Sequence, residues 1–79
     1  MRRTLETLRP GQTGAVGPLT GDESLRRRLQ DLGLIPGTRV ECVLKSPLGD
    51  PAAYLVRGAV IALRRKDARQ VGLEEGSWG

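Results

Sequence analysis

The stretch SLRRRLQDLGLIPGTRV, Ser24 to Val40, decides how this chain is read. Leu25, Leu29 and Leu32 recur at i, i+4 and i+7, which puts them on one stripe of a helix. Asp22 and Glu23 come just before it. Their charge suits the positive end of a helix, and either Asp22 or Ser24 can cap it. Gly33 stands where a left-handed residue ends the last turn. Leu34-Ile35-Pro36-Gly37 then puts proline and glycine at the second and third positions of a tight turn, which favours type II geometry. The consecutive Arg26, Arg27 and Arg28 spread over about 200° of the helix at ~100° per residue, so they do not aim at one groove. They read as the solvated side of a helix whose leucines matter more to the fold.

After the turn, Thr38 to Lys45 alternates, with Val40, Cys42 and Leu44 on one face and Arg39, Glu41, Val43 and Lys45 on the other. Before the helix, Gln12 to Leu19 reads as a bent first strand with Val16 as its core residue. Thr4 to Leu8 reads as one helical turn with Thr4 as N-cap, stopped by a second Leu-x-Pro-Gly device at Leu8 to Gly11. Ser46 to Pro51 is rich in turn residues and reads as a loop. Ala53 to Arg57 and Ala59 to Arg64 read as strands around a tight hairpin at Gly58. Arg65 to Arg69 reads as a short turn of helix, and Gln70 to Leu73 as a last strand. Glu74 to Gly79 is a polar tail carrying Trp78, whose role the sequence leaves open. Five short strands with one α-helix inserted after the first predict a mainly β fold, a small and partly open β-barrel. One domain is expected over residues 1–79, with its core at about 5–73. The helix must bury its leucine stripe against the barrel.

Composition excludes more than it selects. The 79 residues are near the lower limit for a disulfide-free fold, yet 12 Leu, 2 Ile and 6 Val supply a core. The single Cys42 allows no internal disulfide. No apolar run nears the ~18 residues of a membrane span, and the basic start MRRTLETLRPG lacks the apolar region of a signal peptide. A cytoplasmic protein without membrane insertion is expected. There is no histidine to serve as base for Cys42 or a serine, and no carboxylate pair stands out. Cys42 sits mid-strand on the apolar face, where an inert thiol is the better reading. One cysteine and no histidine make a poor transition-metal site, and no glycine-rich phosphate loop is present. Catalytic residues, metal ligands and cofactors are therefore all expected to be none, and the chain is not expected to be an enzyme.

Net charge is +4, from 13 basic and 9 acidic residues. Arg26 to Arg28, Arg64-Arg65-Lys66 and Arg69 could meet phosphates, and a nucleic-acid-binding barrel is the alternative reading. Single-strand readers need aromatic stacking platforms, however, and Tyr54 and Trp78 are the only aromatics. No nucleic-acid partner is expected.

Several motifs, in order and spacing, carry a resemblance over Leu5 to Leu73. They are Leu5-x-x-Leu8-x-x-Gly11, Arg28-Leu29-x-x-Leu32-Gly33-Leu34-x-Pro36-Gly37, Pro47-x-Gly49-Asp50-Pro51, Tyr54-x-Val56-x-Gly58, and Ile61-Ala62-Leu63-Arg64 with Asp67-Ala68. The chain resembles the FeoA family, small cytosolic proteins of bacterial ferrous iron uptake. The resemblance implies an SH3-like barrel with the helix after the first strand. It also implies a non-enzymatic accessory role, by contact with the cytosolic region of the FeoB-type membrane Fe(II) transporter. A similar domain acts as an interaction module at the C-terminus of metal-dependent repressors of the DtxR type, which is a second alternative. No catalytic residues follow from the family. Direct Fe(II) sensing through carboxylates is a further option.

SH3-like barrels commonly take peptides in aromatic-lined grooves, which this chain lacks. The expected contact surface is instead an apolar cleft between helix and barrel. Leu25, Leu29, Leu32 and Leu34 would line it, rimmed by Arg28 and the loop from Pro47 to Pro51. The plainer reading is that most of these leucines are core. An exposed leucine cleft would also serve a weak homo-oligomer.

Overall fold

In the computed structural model, which describes residues 3–74, Asp22 is the N-cap of the helix α1, Glu23–Asp31. Its carboxylate accepts a hydrogen bond from the Leu25 N–H at 2.8 Å. At the other end the Gly33 N–H donates to the Gln30 carbonyl and the Leu34 N–H to the Leu29 carbonyl. Gly33 has φ +99°, a conformation that favours glycine, and an added Cβ would also press on the Val56 and Arg57 side chains at 3.3 Å. The Pro36-Gly37 turn follows, closed by the Thr38 N–H on the Ile35 carbonyl at 3.0 Å. It is anchored to the first strand by the Gly37 N–H on the Val16 carbonyl at 2.7 Å.

The strands are β1 Thr13–Leu19, β2 Arg39–Lys45, β3 Ala52–Val56, β4 Ala59–Leu63 and β5 Val71–Leu73. A 3-10 turn, Leu5–Thr7, precedes β1, and a short helix α2, Arg65–Ala68, separates β4 from β5. All four pairings are antiparallel, in the spatial order β4-β3-β2-β1-β5. The expected mainly β, partly open barrel with one helix after the first strand is what forms. Its two ends are β4 and β5.

Between β3 and β4 the loop is two residues, Arg57 and Gly58, with φ of 51° and 84°. Positive φ at both positions is the type I′ turn, whose twist matches that of the strands it joins. The β5 end is covered by the beginning of the described chain. The Leu73 N–H donates to the Arg3 carbonyl at 2.9 Å, and Thr4 bridges Gly72. Thr4 does not cap the turn that follows; its hydroxyl donates to the Glu6 carboxylate instead.

The core gathers Leu5, Leu8, Val16, Leu29, Leu34, Val40, Cys42, Tyr54, Val56, Val71 and Leu73. Leu44, expected on the same face as Cys42, is not part of it and is 62% exposed. The β2–β3 register explains why. Cys42 pairs with Tyr54, but the next partner pair is Leu44 with Ala53, so β2 carries one extra residue, a bulge. One extra residue inverts every later side chain on the strand. Leu44 turns outward, and Lys45 turns under the sheet, where its Nζ donates to the Glu6 carbonyl at 3.0 Å.

Candidate interaction surface

The leucine stripe divides. Leu29 and Leu34 are fully buried, so these two expected contact residues belong to the core and cannot line a surface. Leu25 is half-buried against that core, while Leu32 is 39% exposed. Ile35 is equally exposed. It was not among the expected contact residues, because it lies outside the helical period. The signal that could have found it is its place as first residue of the Pro-Gly turn: Leu34 points in, so Ile35 points out.

The three arginines go separate ways. Arg26 donates to the Gly21 carbonyl at 3.2 Å. Arg27 edges a shallow depression of about 230 Å³ with Glu23 and Ser24. Arg28 reaches α2, where its Nη2 lies 3.1 Å from the Asp67 carboxylate, with the arginine 64% exposed. A pair this open contributes little to stability.

Pro47 and Pro51 are exposed, on a loop that is also fastened to α2. The Arg65 N–H donates to the Asp50 carboxylate at 2.8 Å, and the Arg65 guanidinium lies over Gly49. Helix α2 is thus touched by Arg28 from one side and by the proline loop from another. Leu25, Leu32 and Ile35 are the apolar side chains of α1 and its following turn that stay at least partly accessible, with Arg28 of the same helix paired to α2. Such a surface suits contact with another macromolecule better than enclosure of a small molecule.

The potentially reactive groups are sequestered. Burial pushes the Cys42 thiol above its usual range, which disfavours the thiolate. Burial likewise pushes the Tyr54 phenol up to about 12, helped by the neighbouring Cys42, Glu6 and Asp50. Among the described residues, no group of three or more His, Cys, Asp or Glu side chains could hold a metal ion. No helix among them is long and apolar enough to cross a membrane. Trp78 lies outside the described residues.

Comparison with known proteins now gives this surface a context. A curated relative is a Fe(2+) transport protein A/Fe(2+) transporter FeoB fusion protein of Porphyromonas gingivalis, 29% identical over 70 residues and 89% of this chain. The chain spans 8% of that fusion protein's length. The solution structure of the FeoA protein from Chlorobium tepidum superposes with a TM-score of 0.83 at 31% identity, covering 90% of this chain and 68% of that one. The zinc complex of Stenotrophomonas maltophilia FeoA, described as an SH3 domain protein, superposes with a TM-score of 0.85 at 28% identity. It covers 98% of this chain and 95% of the other. The five antiparallel strands and inserted helix are therefore SH3-like. The FeoA domain model matches residues 3–75, nearly the whole length, and the chain belongs to the FeoA family.

Proposed function

We propose that the chain is a non-enzymatic, cytoplasmic accessory protein of Fe(II) uptake that works by contact with the cytosolic region of a FeoB-type transporter. The observation that carries this reading is the fusion relative, in which the two names are joined in one polypeptide. Covalent fusion gives two modules a high effective concentration for each other, which is useful where they must meet. The buried Cys42 and Tyr54 fit a role without covalent chemistry. The contact surface is the outer side of α1 and the turn after it: Leu25, Leu32 and Ile35, with Arg28 at the rim and Pro47 and Pro51 on the adjoining loop. Apolar anchors beside an arginine are a common composition for such contacts.

The experiment is an NMR titration of labelled chain with the folded cytosolic nucleotide-binding domain of a FeoB-type transporter, at physiological salt. Saturable shifts at Leu25, Arg28, Leu32 and Ile35 are expected. A folded partner domain that moves none of them, or an oligonucleotide that moves them instead, would overturn the reading.

A further inference from the structure

The two ends of the sheet are treated differently by the fold. Residues 3 and 4 cover the outer edge of β5. Among the described residues, no strand or segment pairs with the outer edge of β4. The type I′ turn makes Val56 and Ala59 a hydrogen-bonded pair, and the alternation then continues along β4. Ala59, Ile61 and Leu63 bond to β3, so Val60 and Ala62 point their N–H and C=O groups outward. The sequence of β4, AVIAL, has no charge and no proline, the usual devices that keep an edge strand from pairing.

The surroundings of this edge specify what would pair with it. On the outer face the cross-strand register forms two rows, Leu44-Ala53-Ala62 and Glu41-Leu55-Val60. Leu44 and Val60 are each 62% exposed, so an added strand would extend an apolar surface at alternate positions. Both ends of β4 are basic and exposed: Arg57 at the hairpin, and Arg64, Arg65 and Lys66 at the start of α2. Three carboxylates lie in this region: Asp67 is paired with Arg28, Asp50 accepts from the Arg65 amide, and Glu41 stands two strands in on the row of Val60, so the basic side chains at the two ends of β4 still outnumber the acidic ones. A second copy pairing antiparallel about Ile61 would bring the hairpin Arg57 of one copy towards the basic start of α2 of the other, and like charges brought together disfavour that pairing. The same charges attract a strand with acidic ends.

We propose that the free edge of β4 is a docking site for an extended peptide segment of another protein, with alternating apolar residues flanked by acidic ones, which adds as a sixth strand. Main-chain bonds to Val60 and Ala62 supply the pairing, and the flanking basic residues select acidic over basic partners and disfavour self-association. The site uses the edge of the sheet rather than the α1 side chains, although the two surfaces adjoin at α2, and it does not depend on the identity of the partner at α1.

The test uses the full chain, isotope-labelled, and two synthetic peptides, DEVTVTVED and its lysine-flanked counterpart KKVTVTVKK. With the acidic peptide, saturable shifts and slowed exchange of the Val60 and Ala62 amides are expected, with binding that weakens as salt rises. The lysine-flanked peptide should bind roughly tenfold more weakly or not at all. Ala62→Pro deletes an outward N–H that β3 does not use and should abolish binding. Should that variant not fold, Arg64→Glu with Lys66→Glu should weaken the acidic peptide roughly tenfold while leaving the fold intact. Equal affinity for the two peptides, shifts confined to α1, or unmoved Val60 and Ala62 amides at millimolar peptide would each overturn the proposal.

Discussion

Replacing Leu29 and Leu32 by alanine, one at a time, sets the same chemical deletion on the same helix face in two environments. Leu29 is fully buried, while Leu32 is 39% exposed. Leu→Ala removes three carbons, which at ~0.8 kcal/mol each amounts to about 2.4 kcal/mol of transfer free energy when burial is complete. At Leu29 a cavity remains, because α1, the sheet and the Leu34 turn are mutually fastened, and this brings the cost to about 3–4 kcal/mol. At Leu32 roughly three-fifths of the transfer term applies and no enclosed cavity forms, leaving about 1–1.5 kcal/mol. A chain of 79 residues has a total stability of about 4–12 kcal/mol, so Leu29→Ala consumes a large share of it.

The assay is urea unfolding followed by far-UV circular dichroism, with a slope near 1 kcal/mol/M for a chain this small. Leu29→Ala should lower the midpoint by about 3 M or leave the chain unfolded without urea. Leu32→Ala should lower it by about 1 M and retain a native spectrum. The same Leu32→Ala protein should bind the transporter domain more weakly. Equal costs at the two positions, or a cost at Leu29 under about 1 kcal/mol, would refute the division of the stripe into core and surface.

Two further outcomes test other parts of the structure. Leu44→Thr should change stability by less than about 0.5 kcal/mol, whereas Cys42→Ser, two residues away, should cost about 1–3 kcal/mol by burying a hydroxyl. A reversed order in thermal melts would mean that the β2 bulge is absent. The Tyr54 phenol, pushed up to about 12 in the fold from an ordinary value near 10, favours the folded state while it stays protonated. That contribution, about 3 kcal/mol, is fully present below pH ~10 and is lost as pH rises toward ~12. A Tyr54→Phe chain should lose less stability than the native chain over that window, and parallel stability–pH curves would count against it.

Much of this protein was settled by residues a few positions apart. The helix start, narrowed to a cap at Asp22 or Ser24, the leucine spacing of α1, Gly33 as terminator, the Pro36-Gly37 turn and the hairpin at Gly58 are short-range features. Each depends on the conformational preferences of neighbouring residues, and each was legible in the chain. So was the inward Val40-Cys42 pair, because strand alternation holds as long as the register does. The division of the leucine stripe was not legible. Helical period says which side chains share a direction, but not how far the opposing layer extends, and the barrel covers Leu29 while leaving Leu32 partly open. The outward turn of Leu44 came from a bulge against β3, a property of two paired strands rather than of either alone. The Arg28–Asp67 pair joins residues 39 apart, and nothing local to either selects the other. The edge of β4, unpaired among the described residues, and the covered edge of β5 likewise exist only in three dimensions. Local chemistry determined the elements and their ends; cross-strand register and the reach of facing layers decided which apolar side chains are core and which are left for partners.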